Sequence, residues 1–499
     1  MDEIFSSVYG QESGAQIEAL AKALLAPESS ADLYATSGGV ITNQSLEGML
    51  VELSLKQSDY TFWQDVNKSK AYSTVEEFDQ HIGMGINVGG FVGQMESPEF
   101  RDPDFVKQIA VVKYMSEGWQ VGDVQAATKT ILDPRTRAQR DAMGRLLRNL
   151  DAAFYSGNHA WIPQSFDGLE ATIGASSTDQ IFDLRGGNLT ENYFELAGQL
   201  ITEGNGNAEG AKIYVSPAGV QNISKIIRSG ATTNGNLKIA EMGDGNLTLG
   251  GRAKDIMTGY GLMTPRMDKV LGMCFENKVV PQYYNKTTST WTEDATSDKA
   301  PSTPSIVLTN NATAVARASQ FTTGITRPSG VKYSYRVVAR NAYGQSAACA
   351  AVESTSIVAD GGSVSIAITP APGDSGSKSP TCFEIYSTKV GGSGVYRYMT
   401  TVAAAATAPL SAVTYEDTND YIPGTSRMYI VDQSGEGEDR VMSYSQLLPI
   451  HNTDLAKMGR YSQGLINLYG VPKYYKPQVL VEFRNINVDQ SFANKLNFV

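Results

Sequence analysis

DPRTRAQRDAMGRLLRNLDAAFYSG, residues 133–157, is the stretch from which the rest of the chain can be ordered. Asp133 suits an N-cap, Pro134 suits the first helical position, where a missing N–H is no loss, and Gly157 suits a helix end. Met143, Leu146, Leu147, Leu150 and Phe154 return at helical spacing on one side, while Arg137, Asp141 and Arg145 stand four apart on the other. The pattern predicts a surface helix over 134–156 with one face inward, roughly 35 Å long at 1.5 Å per residue.

Working upstream, GWQVGDVQA (118–126) and FVKQIAVVKYM (105–115) read as strands. Before them HIGMGINVGGFVGQMESPEFRDPDF, from about 80 to 105, is rich in Gly and turn residues and reads as a long, exposed, flexible loop. AQIEALAKALLA (15–26) is a short amphipathic helix in a polar leader. Working downstream, a helix at about 190–203 (Phe194, Ala197, Ile201) precedes the buried-type strand AKIYVS. A second capped helix follows, SPAGVQNISKIIRSG, with Ser216 as cap, Pro217 first, Val220, Ile223 and Ile227 inward and Gly230 as its stop. Residues 126–285 therefore form a mixed α/β region.

The character then changes. TSTWTEDATSDKAPSTPS (288–305) is linker-like, and from 300 to 425 helical periodicity gives way to short alternating strands: YSYRVVAR, SVSIAIT, CFEIYST, YRYMTTV and VTYEDT. In YSYRVVARNAYGQS (333–346), Tyr333, Tyr335, Val337 and Ala339 share one face, opposite Ser334, Arg336, Val338 and Arg340. That predicts a half-buried antiparallel strand, with Asn341–Gly344 as its turn. Regular short strands with Gly/Pro/Ser turns indicate a β-sandwich. This segment is almost neutral, with 8 Lys/Arg against 7 Asp/Glu. After PGTSR come MYIVDQSG, a loop, and the strand-like runs GLINLYG and PQVLVEFRNI, so the sandwich interrupts something.

Composition sets bounds. A chain of 499 residues exceeds a single core, and 41% apolar with 19% charged residues is ordinary for a globular protein. The net charge of −11 and the absence of a Lys/Arg run argue against wrapping nucleic acid. Cys274, Cys349 and Cys382 are too few and scattered for a disulfide framework or zinc site. No signal peptide and no membrane-spanning run is recognised, so synthesis in a reducing cytoplasm is expected and the Asn188 and Asn311 sequons read as chance.

No motif carries catalysis. GMGINVGGFVG (83–93) has neither Rossmann spacing nor a Walker lysine, and His81, His159 and His451 are isolated. Ser165 and Ser216 lack a nucleophile elbow. The acidic groups Glu96/Glu99/Asp102/Asp104 and Glu436/Glu438/Asp439 lack EF-hand spacing and read as solvated loops. Arg135, Arg137, Arg140, Arg145 and Arg148 form a charged helix face suited to pairing with a neighbouring subunit rather than to DNA. No catalytic, cofactor or metal residue is expected.

The succession of polar arm, Gly-rich loop, FVKQIAVVKYM, the helix ending LDAAFYSGN, AKIYVSPAGVQNISKII, GYGLMTPRMDKVLG and MYIVDQSGEGEDRVMSYSQLLPIHNTDLAKMGRYSQGLINLYG resembles major capsid proteins of tailed bacteriophages with the Hong Kong 97-like fold, over about 60–285 and 426–490. The resemblance implies an α+β fold interrupted by an all-β sandwich, similar in YSYRVVARNAYGQS to fibronectin type III or immunoglobulin-like modules. It implies an N-terminal arm (1–60), an extended-loop region with flanking strands (61–126), a peripheral domain with a spine helix and the first part of an axial domain (127–299), the inserted sandwich (300–425), and the remaining axial and returning peripheral strands (426–499). It further implies an icosahedral shell around double-stranded DNA, assembled in the bacterial cytoplasm and found in the virion. The chain's main partner would be itself, in hexameric and pentameric capsomers. Portal, scaffold and decoration proteins, weak contact with packaged DNA, and glycans bound through 300–425 are the other implied partners, with no membrane. The subunit cross-linking lysine and asparagine of some relatives find no match. Two rivals stand beside this reading: a carbohydrate-active enzyme with a fibronectin-like module, and a non-viral nanocompartment shell.

Overall fold

In this computed structural model, residues 59–488 are described except 86–90, 98–99, 101, 129–132, 234–254, 286–289, 316, 375, 390–393, 406–409, 436 and 458. The helix expected at 15–26 and nearly all of the N-terminal arm lie outside the described residues.

In chain order, α1 (Thr61–Asp65) and β1 (Lys68–Lys70) lead to β2 (Val75–Gly83), β3 (Asp104–Val111) and β4 (Lys113–Gly122). Next come α2 (Asp123–Ala127), α3 (Pro134–Ser156), α4 (Leu169–Ser176), β5 (Ile181–Asp183), α5 (Glu191–Glu203), β6 (Lys212–Val215) and α6 (Pro217–Thr233). Strands β7 (Ile256–Thr258) and β8 (Gly261–Met267) precede α7 (Lys269–Cys274), β9 (Tyr283–Asn285) and β10 (Thr290–Thr292). An all-β stretch follows: β11 (Ser305–Asn311), β12 (Ser334–Asn341), β13 (Gly344–Gln345), β14 (Val352–Glu353), β15 (Ser363–Thr369), β16 (Cys382–Ser387), β17 (Arg397–Ala403) and β18 (Val413–Asp417). The chain closes with β19 (Ser426–Val431), β20 (Met442–Asp454), β21 (Tyr461–Tyr474) and β22 (Val481–Ile486).

The helix α3 has the expected bounds. The Asp133 carboxylate accepts from the Thr136 amide at 3.0 Å, and Leu146, Leu147, Leu150 and Phe154 are buried. The strands before the all-β stretch and those after it share sheets. One six-stranded sheet runs β5-β22-β19-β6-β8-β7, with β19 antiparallel to both β6 and β22. One four-stranded sheet runs β1-β20-β21-β4. A single apolar core joins Phe62, Leu150 and Ile213 to Tyr429, Leu468 and Phe483. We call this part the body.

Beneath α3 lies a buried polar knot. Asp268 caps α7 through the Val270 amide at 2.7 Å and accepts the Tyr155 hydroxyl at 2.8 Å, while Asp151 accepts the Trp63 amide at 3.0 Å. Burial, and then the charge of Asp268, pushes the Asp151 carboxyl well above the usual carboxylate range. One chain thus ties α1, α3 and α7 together.

The all-β stretch forms two sheets, β11-β15-β18 and β13-β12-β16-β17 with β14 on β12. They close over Tyr335, Val337, Ile366, Phe383 and Ile385. The face of β12 expected to be wet is buried as well, because Val338, Tyr386 and Tyr398 pack into the body core. The 288–305 segment is not a free linker either. It contains β10, paired to β9, and the Thr296 amide donates to the Gln345 carbonyl at 3.0 Å.

Other departures have local causes. The strand expected over 105–115 breaks at Val112, whose buried amide turns to the Thr74 carbonyl at 2.9 Å. Residues 123–127 are helical, not extended. Gly230 does not stop α6, which runs to Thr233, and the Ile227 side chain lies outside the described residues. A loop was expected after MYIVDQSG, where the 13-residue β20 instead pairs along β21.

Candidate functional site

The region read as a flexible loop is the tip of a hairpin. Strands β2 and β3 pair antiparallel, Val75 opposite Val111 and His81 opposite Phe105. Alternation gives the ribbon two faces. Its inner face is held to the body at β21: the Gln80 side-chain amide donates to the Tyr475 carbonyl at 2.7 Å, Lys473 pairs with Glu76 at 3.3 Å, and the Phe78 and Tyr475 rings meet edge-on at 5.1 Å. Its outer face carries Val75, Phe105, Ile109 and Val111 into solvent beside a Lys107–Glu77 pair at 2.7 Å.

At the tip Phe91, Met95 and Phe100 are 102%, 99% and 93% exposed, so none is covered by the described residues. A concentration of large apolar groups in water on a two-stranded ribbon marks an interaction surface. The Gly-rich reading missed these side chains. The signal was present in a turn-rich segment that keeps Met84, Phe91, Met95 and Phe100 where a solvated loop needs none.

The second built region is the junction of sandwich and body. The Tyr398 amide donates to the Lys278 carbonyl at 2.8 Å, and Arg397 donates to the Glu276 carbonyl at 2.9 Å. The buried Glu384 accepts from Lys278 at 3.0 Å, Arg340 at 2.9 Å and the Tyr386 hydroxyl at 2.7 Å. Burial opposes its ionisation, but the charges of Lys278 and Arg340 outweigh it and hold the carboxyl down at about 2.

The structure does not bring the remaining singled-out residues together. His81 lies tilted against Phe105, His159 touches Lys113 at 3.2 Å, and His451 lies by Tyr469. Ser216 accepts the Gly219 amide at 3.1 Å as a helix cap and bonds Glu276 at 2.7 Å, while Ser165 donates to the Phe166 carbonyl at 3.1 Å. Glu96 caps its own turn through the Gly93 amide at 3.1 Å, and Asp102 and Asp104 are exposed. Glu99, Glu436 and the Glu438 side chain lie outside the described residues, and Asp439 pairs with Lys476 at 3.5 Å. Among the described residues, no cluster of three His, Cys, Asp or Glu could hold a metal.

Cys274, Cys349 and Cys382 are free and buried, and burial pushes the Cys274 and Cys382 thiols up to about 12. Three helix arginines pair with carboxylates of this same chain: Arg135 with Asp454 at 2.6 Å, Arg137 with Asp141 at 3.3 Å and Arg145 with Glu117 at 3.4 Å. The reason is that α3 lies against β4, which brings Glu117 under its charged face.

No family model matches the chain. It is 21% identical over 457 residues to the major capsid protein of Staphylococcus phage S25-3, covering 90% of each chain, and 25% identical over 181 residues to that of Staphylococcus phage K, covering 35% of this chain and 38% of the relative. Among solved structures, the capsid of cyanophage P-SCSP1u aligns at a TM-score of 0.42 and 7% identity, covering 93% of this chain and 98% of that one. The holo-SrpI encapsulin complex of Synechococcus elongatus PCC 7942 aligns at 0.42 and 8%, covering 91% and 96%. The similarity to phage major capsid proteins supports a structural, non-enzymatic role in a virion capsid shell. No helix among the described residues is long and apolar enough to cross a membrane.

Proposed function

We infer that this chain is the shell-forming subunit of a tailed-bacteriophage head, built on a Hong Kong 97-like body with an immunoglobulin-like insert. The observation that carries the reading is similarity along nine-tenths of the chain to a phage major capsid protein. In this reading α3 is the spine helix of the peripheral domain, and the six-stranded sheet belongs to the axial domain. The 75–111 hairpin is the extended loop laid over a neighbouring copy, which its uncovered Phe91, Met95 and Phe100 support. Copies assemble as hexameric and pentameric capsomers, and the 300–425 insert offers weak binding to host-surface or environmental glycans. No catalytic, cofactor or metal site is assigned. Negative-stain microscopy of the expressed full chain tests the reading. Closed icosahedral particles are expected, and a persistent monomer at high concentration overturns it.

A further inference from the structure

A cleft of about 580 Å3 opens where the C-terminal half of α3 and the helix α7 meet the sandwich. Its charges do not cancel. Four cationic side chains line it, Lys113, Arg148, Lys278 and Arg340, against two carboxylates, Glu117 and Glu384. Such a balance runs opposite to the chain as a whole, whose net charge is −11.

Both carboxylates are already engaged. Glu117 accepts from Arg145 at 3.4 Å and from the Asn149 amide at 3.1 Å, and Glu384 takes Lys278, Arg340 and Tyr386. Lys113, by contrast, makes its hydrogen bonds to the Pro163 carbonyl at 2.8 Å and the His159 ring at 3.2 Å, and the Asp167 carboxylate offsets only part of the effect of burial on its charge. Burial lowers the proton affinity of Lys113 and, against the opposing charge of Glu117, that of Arg148, so each charge is held where water solvates it incompletely. Walls of low polarizability focus such a field into the opening.

A neutral donor lines the same cleft. Gln345 lines the cleft at 3% exposure, and its Nε2 has no hydrogen-bond partner among the described residues. Its backbone is fixed, with the amide donating to Thr296 Oγ1 at 2.8 Å and the carbonyl accepting the Thr296 amide at 3.0 Å. A buried N–H left unpaired costs about 1–3 kcal/mol. A ligand oxygen would remove that cost. Trp161, Phe166 and Met273 supply an apolar wall for whatever carries the oxygen.

We propose that this cleft binds an oxyanion, the phosphate or carboxylate group of a small ligand, with Lys113 and Arg148 supplying charge and Gln345 a directed hydrogen bond. The site is independent of the shell reading, since all its residues belong to one chain. Isothermal titration of the purified full chain, in whatever assembly state it adopts, with pyrophosphate and with citrate tests it. Saturable binding that weakens with added salt is expected. It should weaken at least about tenfold, or about 1.4 kcal/mol, in Lys113→Gln and in Gln345→Glu.

Tighter pyrophosphate binding assigns phosphate esters as the ligand class, and tighter citrate binding assigns carboxylates. Lys113 stands at the rim, so Lys113→Gln keeps the test valid if Gln345→Glu fails to fold. No saturable heat with either anion, or binding unmoved by Lys113→Gln, overturns the proposal.

Discussion

Residues 75–111 and residues 305–417 both leave the shared sheets and return, but they finish themselves differently. The longer excursion closes two sheets over Tyr335, Val337, Ile366 and Phe383 and pins them from within. The fully buried Arg327 pairs with Asp417 at 2.7 Å, donates to Ser387 at 2.9 Å and to the Tyr335 hydroxyl at 3.2 Å, and lies 4.4 Å over the Tyr333 ring. The shorter excursion has two strands, one face on β21, and an apolar tip in water. Its apolar groups meet no core among the described residues. The contrast separates a region that buries its apolar groups in its own core from one that leaves them in water, as the proposed contact with a second copy requires.

The sharpest way to break that contrast is to charge the tip. Phe91→Asp, Met95→Asp and Phe100→Asp together should abolish particles in sedimentation and microscopy. The subunit's melting should barely move, within about 0.5 kcal/mol, as for exposed positions elsewhere. Shells that still form would show the tip to be dispensable. The opposite outcome is expected at the sandwich pin. Arg327→Met strands the buried Asp417 and should cost about 3–5 kcal/mol in chemical denaturation. A loss below about 1 kcal/mol would mean that the apolar core alone holds the two sheets.

Deleting residues 302–424 behind a short Gly/Ser linker asks whether the sandwich serves the body. Every strand of both body sheets lies outside residues 302–424, so the body should still fold and assemble. It would, however, lose Val338, Tyr386 and Tyr398 from its core. A loss of roughly 2–3 kcal/mol in denaturation is expected, on the scale of exposing a few apolar side chains. A body that no longer folds would make the sandwich integral to it.

How much of this was legible depended on whether local chemistry and tertiary pairing agreed. Asp133, Pro134, Gly157 and the inward leucines all specify one helix, and the structure has it. A sandwich strand such as β15, SVSIAIT, alternates because Val364, Ile366 and Ile368 meet their own core. In β20, MSYSQLLPIHNTD is polar and carries Pro449, so only its pairing along β21 makes it extended. In β2, VEEFDQHIG puts Glu76 and Gln80 on the inner face, where they bond β21 and its neighbour Tyr475, and no apolar alternation announces the strand. The second buried face of β12 was hidden for a related reason. Arg336 and Arg340 flank Val338, and their ion pairs with Glu293 and Glu384 lie far off in sequence.

The smallest predicted effect concerns how the closed region is fastened. Glu384 is held at about 2 in the folded chain against an ordinary 4.5, so it stabilises the fold above about 4.5 and loses that contribution as pH falls toward about 2. The full linkage would reach about 3–4 kcal/mol, but Lys278 and especially Arg340 keep part of their side chains in water, which screens the pair. An acid-dependent loss of about 2 kcal/mol is the expectation. Glu384→Gln should abolish that share of the pH slope while lowering stability at neutral pH, where Lys278 and Arg340 lose their shared carboxylate. Denaturation midpoints of both chains measured across that range decide it. If the difference between them stays constant with pH, the sandwich is held to the body by apolar contact, and the buried carboxylate is a bystander.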